Sequence, residues 1–270
     1  LVLLGHPVAH SLSPRFQSAA LRAAGLDVAY TALDVTPEAL TETLRQLVAE
    51  GAAGNVTVPH KENATRLCSR LTPVAERVGA INVFWTDGGQ LVGDNTDVGG
   101  FAAACNAPVA PGGRVALFGA GGAAAAVLAA MVEWPGVHVS VWNRSAERAA
   151  ILAGRFGAQA VGTITEAVEG ATLVVNATSI GLDGVSQPID VAHLPPAADV
   201  IDLVYGPDET AWVRAARAAG HRAIDGLPML IEQGALAFER WFGVEPDRDA
   251  MRRAVRLGHD SDVGRVGDAR

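Results

Sequence analysis

Val115-Ala-Leu-Phe-Gly119-Ala-Gly121-Gly122-Ala-Ala124 sets an apolar run of strand length against a glycine turn and then an alanine-rich helix. The G-x-G-x-x-A spacing of Gly119, Gly121 and Ala124 suits a turn that lets backbone approach a pyrophosphate while the helix's first N–H groups face it. Gly-Ala strings also arise from composition and tight helix packing, so the next strand weighs in the choice. That strand, expected over residues 137–142, ends in Asn143-Arg144-Ser145, where NAD-binding chains carry an Asp or Glu for the ribose hydroxyls. No carboxylate stands there. Arg144, with Arg148 four residues on and so on the same helical side or its entrance, offers charge-assisted hydrogen bonds to a 2′-phosphate, and NADP is expected over NAD. The competing reading is a helix N-terminus with two solvated arginines. The candidate cofactor contacts are Gly119, Ala120, Gly121, Gly122, Ala123, Asn143, Arg144, Ser145 and Arg148.

Outward from this stretch, short apolar runs alternate with helical patterns nearly throughout, which predicts an α/β fold with a largely parallel sheet. After residue 114 the expected strands are 115–118, 137–142, 172–176, 200–203 and 222–224, with helices over 123–132, 146–156 and 208–219. Residues 106–113, with two Pro and two Gly, read as a linker. Before it come strands near 1–4, 29–34 and 55–58, helices near 14–24 and 37–50, a hairpin around Asp87-Gly88-Gly89 and a helix over 96–105. Pro37 and Pro73 sit where a helix's first turn tolerates proline. A strong helix at 230–242 and a weaker one at 247–256 follow, and the tail beyond Leu257 has no apolar period.

The chain has 270 residues, 49% hydrophobic and 19% charged, enough for one or two globular domains. A net charge of −8 repels a polyanion and argues against a nucleic-acid partner. Two cysteines, Cys68 and Cys105, form neither a disulfide framework nor a metal-ligand spacing, which suits a reducing, cytoplasmic setting. The chain opens on Leu1 rather than Met, so a few residues are expected to precede it, and no signal-like opening supports secretion. The uncharged run 115–132 reaches the minimum length of a membrane span, but 11 of its 18 residues are Gly or Ala and it opens on a turn, so no membrane is expected.

Of the 21 basic residues 20 are arginine, and Lys61 is the single lysine. Arg keeps its proton at ordinary pH whereas Lys can be tuned to exchange one, which makes Lys61 a candidate for proton chemistry; chance survival on a surface is the competing reading. Lys61 closes Asn55-Val-Thr57-Val-Pro-His-Lys61, one of three polar clusters at expected strand ends or loops, with Ser11-Leu-Ser13 and Asn82 plus Asn95-Thr96-Asp97. In extended backbone Ser11 and Ser13 share a side and would donate to a carboxylate; Asn55 and Thr57 would likewise serve hydroxyls. The spacing suits a small polyhydroxylated acid as substrate. Against this, Ser13 precedes Pro14 and suits a helix cap, and Asn82 or Asn95 suits a turn. Lys61 and Asp97 form the natural acid–base pair for ketone and alcohol interconversion. His6, His10 and His60 match no metal-ligand spacing, and no metal is expected.

Taken together these motifs resemble the shikimate dehydrogenase family over nearly the whole chain, from Gly5-His-Pro-Val-Ala-His-Ser11-Leu-Ser13-Pro to Gln233. The resemblance implies that Ser11 and Ser13 bind the substrate carboxylate, that Asn55, Thr57, Asn82 and Asp97 bind its hydroxyls, and that Lys61 and Asp97 are the catalytic pair. Gln233, in Met229-Leu-Ile-Glu-Gln233, and Tyr205, in Asp202-Leu-Val-Tyr205, would complete the substrate site. Asn143-Arg144-Ser145 resembles the family's NADP-selecting Asn-Arg-Thr, and Asn176-Ala-Thr178-Ser-Ile-Gly181 its cofactor-side loop. Gly226 and Met229 would lie by the nicotinamide. Two departures stand out: Pro228 replaces a common Gly and removes an N–H, and Ala125 stands where relatives often carry Arg.

The implied activity is reversible NADPH-dependent reduction of 3-dehydroshikimate to shikimate. The implied architecture is a discontinuous substrate domain, residues 1–98 with 228–270, around a Rossmann-type NADP domain, 99–227, with catalysis in a cleft closed by domain motion. Oligomeric state is not legible, and a homodimer stays open. The rivals are a dehydrogenase that also takes quinate or NAD, a non-catalytic binding regulator and a folate-pathway dehydrogenase.

Overall fold

The computed structural model describes residues 1–105, 109–206 and 208–256. The tail expected beyond Leu257 and part of the expected linker, 106–108, lie outside them. The chain divides into two compact units, Leu1–Thr96 with the chain from Ile231 onward, and Asp97–Leu230.

The first unit opens with β1 (Val2–Gly5), α1 (Ser13–Ala23), β2 (Thr31–Asp34), α2 (Leu40–Ala49) and β3 (Gly54–Val56). Short α3 (Lys61–Leu67), β4 (Arg70–Leu71) and α4 (Pro73–Val78) lead to the hairpin β5 (Val83–Asp87) and β6 (Gln90–Asp94). The sheet order is β2-β1-β3-β5-β6-β4. Its first three strands run parallel, as do β4 and β6, and β5 alone is antiparallel to its neighbours β3 and β6. The reversal from β5 to β6 is made by a two-residue turn, where Asp87 pairs with Gln90 and both Gly88 and Gly89 take positive φ.

Several expected boundaries move for local reasons. Pro37 lies in a turn, and α2 starts at Leu40, where its buried stripe Leu40, Leu44 and Leu47 begins. Pro73 does open α4, capped by Thr72 Oγ1 accepting from the Ala75 N–H. Strand β2 begins at Thr31 rather than near 29. Helix α3 and strand β4, which carry no expectation of their own, fill the stretch between Lys61 and α4. Leu4, Leu44, Val56, Ile81 and Phe84 centre the core.

In the second unit α5 (Asp97–Ala104) precedes β7 (Arg114–Phe118), α6 (Gly122–Met131), β8 (His138–Trp142), α7 (Ala146–Phe156) and β9 (Gln159–Ala160). Then come α8 (Ile164–Val168), β10 (Leu173–Asn176), β11 (Asp199–Asp202), α9 (Ala211–Ala218) and β12 (Ala223–Ile224). The six strands are all parallel in the order β12-β11-β10-β7-β8-β9, the doubly wound arrangement whose strand order reverses between β7 and β10. Helix α6 is buried from Ala124 to Met131, as its apolar, alanine-rich composition requires. Helix α9 starts at Ala211, after its cap Thr210, rather than at 208.

The division between units falls inside α10 (Leu227–Phe242), which α11 (Arg248–Arg256) follows. In the first unit α11 packs on α1, and α1 approaches α10 so closely that a Cβ on Gly234 would lie 2.3 Å from the Phe16 ring.

Candidate active site

The first unit gathers a connected set of buried amides. Asn55, in the middle of β3 rather than at a strand end, accepts from the Tyr30 hydroxyl at 2.7 Å and donates through Nδ2 to the Asn82 carbonyl at 2.9 Å. Asn82 in turn donates to Thr96 Oγ1 and Gln233 Oε1, both at 3.0 Å, and accepts the Thr96 N–H at 2.7 Å. Thr96 Oγ1 donates to the Gln233 carbonyl. Residues 151 positions apart are thereby tied into one network that leaves Asn82 only 2% exposed. Such a network is costly to bury unless it is satisfied and put to use. The second N–H of Asn55 Nδ2 is taken up by no group among the described residues.

Tyr30 and Thr96 were not among the expected site residues. Tyr30 is one of only two tyrosines in the chain and sits just before an edge strand, a weak signal that tertiary contact alone makes specific. Full burial pushes its hydroxyl well above the ordinary tyrosine range, so it stays protonated and donates. Asn95 stands in no turn; its amide donates to the Ala80 carbonyl, 15 positions back in the chain.

Ser11 and Ser13 do not lie in extended backbone. Leu12 has helical φ and ψ and caps α1 without a side-chain bond, while Ser11 Oγ accepts the Ser13 N–H at 3.2 Å. Ser13 is therefore the first residue of the helix, not its cap, and it is buried. Thr57 sits just past β3 with its methyl 2.5 Å from where a Cβ on Gly5 would stand, which is why position 5 is glycine.

Lys61 is half-buried at the first turn of α3, in a helix rather than a loop, and its carbonyl accepts from Ile81 beside Asn82. His60 is fully buried with Nε2 on the Val35 carbonyl, a structural role.

In the second unit the glycine-rich turn joins β7 to α6. Gly119 has φ +114°, and a Cβ there would fall 2.7 Å from the Ala177 carbonyl oxygen, so only glycine serves. Gly121 caps α6 without any side chain and has open space around its missing Cβ. The backbone N–H groups of Gly121, Gly122 and Ala123 at the helix N-terminus are thus uncovered, which fits a pyrophosphate. Arg148 reaches back from α7 to the Ala120 carbonyl at 3.3 Å, and Asn143 ties to the Ser145 carbonyl. Ser145 caps α7 through the Arg148 N–H. Arg144 is exposed, and among the described residues no carboxylate pairs with it, which fits a phosphate.

Around the end of β10, Asn176 accepts from the Thr178 N–H and hydroxyl and donates to Ile180 and to buried Asp202. Tyr205 is half-buried just beyond β11. Gly226 is forced by a close approach, since its Cβ would lie 2.2 Å from the Leu203 carbonyl oxygen, and Met229 is buried. Pro228 occupies the second position of α10, where an N–H has no intrahelical partner, so the helix loses nothing by it. Ala125 is buried within α6. Asp97 is buried at the start of α5.

Residues 3–84 match the family model described as shikimate dehydrogenase substrate binding domain, and residues 226–256 match that of the shikimate 5'-dehydrogenase C-terminal domain. The chain is 42% identical over 261 residues to a shikimate dehydrogenase (NADP(+)) of Mesorhizobium japonicum, covering 93% of each. It is 39% identical over 276 residues to that of Brucella ovis, covering 97% of this chain and 94% of the relative. It also superposes on the shikimate 5-dehydrogenase of Thermus thermophilus, solved with NADP(H) and shikimate, with TM-score 0.86, 42% identity and 95% and 98% of the two chains covered. With this extent of similarity, the chain belongs to the shikimate dehydrogenase family.

Proposed function

We propose that this chain is an NADP-dependent shikimate dehydrogenase, interconverting 3-dehydroshikimate and shikimate. The observation that carries the reading is the buried Tyr30–Asn55–Asn82–Gln233 network, which leaves an unspent N–H on Asn55 beside the loop leading to the only lysine. A ring hydroxyl satisfies such a group, and an apolar substrate would not. Asn55, Thr57, Asn82, Asp97 and Gln233 hold the ring hydroxyls in this reading, Ser11 and Ser13 the carboxylate, and Tyr205 is a further substrate contact.

Lys61 Nζ carries the proton that the carbonyl oxygen takes up during reduction and receives it back from the alcohol in the reverse direction. Asp97, buried at the start of α5, is its partner in the catalytic pair in this reading. NADPH, held by the turn from Gly119 to Ala123, by Asn143, Arg144, Ser145 and Arg148 and by Thr178, Gly226 and Met229, supplies the hydride. The charge of Arg144 and Arg148, with no acidic residue at the end of β8, selects the 2′-phosphate.

The free thiols of Cys68 and Cys105 support a cytoplasmic setting. Absorbance of the reduced nicotinamide, followed with shikimate or quinate and with NADP+ or NAD+, tests the assignment. Fast turnover with shikimate and NADP+ alone is expected. Equal or faster turnover with quinate or NAD+ overturns it, as does binding without turnover.

A further inference from the structure

We propose that Asp202 is a positioning residue for dinucleotide binding, acting through Asn176 to hold the loop Thr178–Gly181 against the glycine-rich turn. The inference rests on the reading of the second unit as the NADP site. Asp202 closes β11 and is fully buried, and the hydrogen-bond donors it meets are Thr210 Oγ1 and Asn176 Nδ2, each at 2.8 Å, and the Val204 N–H at 3.1 Å. A buried carboxylate met by three neutral donors and, among the described residues, no cation is expensive, and the surrounding geometry indicates what that cost secures.

An ionised carboxylate only accepts, so the amide of Asn176 must turn its NH2 toward Asp202 and its oxygen toward the loop. That oxygen then takes both the Thr178 N–H at 3.0 Å and the Thr178 hydroxyl at 2.6 Å, while Nδ2 also reaches the Ile180 carbonyl at 3.0 Å. Thr178 Oγ1 accepts the Ile180 N–H, which closes the loop on itself. Asn176 pairs in register with Phe118, the residue just before the glycine turn, and the Ala177 carbonyl presses on Gly119 so closely that no side chain fits there. A change in the amide's orientation therefore shifts the surface that Gly119 rests on. Burial raises the Asp202 carboxyl above the ordinary range, while its three donors hold it down.

Calorimetric titration of NADP+ into the purified full chain, with steady-state kinetics and Tm alongside, tests this. Asp202→Asn keeps the shape but can present either end of its amide to Asn176. It is expected to weaken NADP+ binding about tenfold, the size of one hydrogen bond to a charged group. The KM for shikimate and kcat at saturating NADP+ should stay within about twofold of their starting values. Thr210→Val, which removes one donor and keeps the carboxylate, should weaken NADP+ binding less, and Thr210→Ser should restore it. Unchanged NADP+ affinity in Asp202→Asn and Thr210→Val, even with a lower Tm, overturns the proposal, as does a parallel loss of shikimate affinity. Should Asp202→Asn fail to fold, the Val and Ser variants at Thr210 decide alone. An unsubstituted chain that binds NADP+ without oxidising shikimate ends the functional reading and leaves the Asp202 comparison to the titration; one that binds no NADP+ ends both.

Discussion

The two units solve the problem of holding a polar ligand in opposite ways. The first buries side-chain amides from β3, from the loops flanking β5 and β6 and from α10, and links them to one another. The second has an all-parallel apolar sheet and leaves its phosphate-facing surface to bare backbone at Gly119 and Gly121, with charge brought in by two arginines. Side chains recognise a particular arrangement of hydroxyls; backbone N–H groups at a helix start recognise negative charge of any origin. Selectivity in the first unit should therefore fail one hydroxyl at a time, and in the second by loss of a charge or of a turn.

The largest effect should come from Lys61→Ala, with kcat lowered about a hundredfold to ten-thousandfold as general acid–base catalysis is removed, and with little change in the KM for shikimate. Loss confined to KM would place Lys61 with the binding amides instead. Arg144→Ala follows: the ratio of kcat/KM for NADP+ over NAD+ should fall by roughly tenfold to a hundredfold, with NAD+ activity surviving, because only the 2′-phosphate contact is lost. An unchanged ratio would remove charge from the account of the second unit.

Gly119→Ala, strained by its positive φ and by the Ala177 carbonyl, should cost about 1–3 kcal/mol in dinucleotide affinity or in stability. Its KM for shikimate should not move, and a rise there would erase the contrast between the units. Smallest is Tyr30→Phe, which deletes one donor to Asn55 and should raise the KM for shikimate about fivefold, roughly 1 kcal/mol, at constant KM for NADP+. An analogue of shikimate lacking the hydroxyl that Asn55 meets should make the two proteins indistinguishable, and persistence of the difference would show Tyr30 acting on stability alone.

The second unit was the more legible in sequence. Gly119, Gly121 and Ala124 and the run to Arg148 carry their meaning in local spacing, and α7 begins and ends at the expected residues. The first unit's polar clusters were visible as clusters, but how they connect was not. Tyr30 meets Asn55 across 25 positions and Asn82 meets Gln233 across 151, and no periodicity encodes such contacts. Helix α3 is not legible because seven residues with one buried position carry too little apolar pattern to register. A Ser-x-Ser-Pro string likewise gives no sign that Leu12 is already helical. Asp202 carries no local signal of its role, and its burial, with no cation beside it among the described residues, shows only in the folded chain.

Because Lys61 is the single lysine of 270 residues and stands half-buried at the head of α3, the chain carries one ε-amine for chemists to address. A lysine-directed acylating reagent can mark one side chain per molecule, and its rate of reaction reports directly on whatever occupies that neighbourhood. An endoprotease specific for lysine likewise has one peptide bond to cut, inside the first turn of a helix, so the rate of nicking measures how often that turn opens. A chain that uses arginine at 20 of its 21 basic positions holds a built-in single-site probe at the position where a proton is expected to change hands.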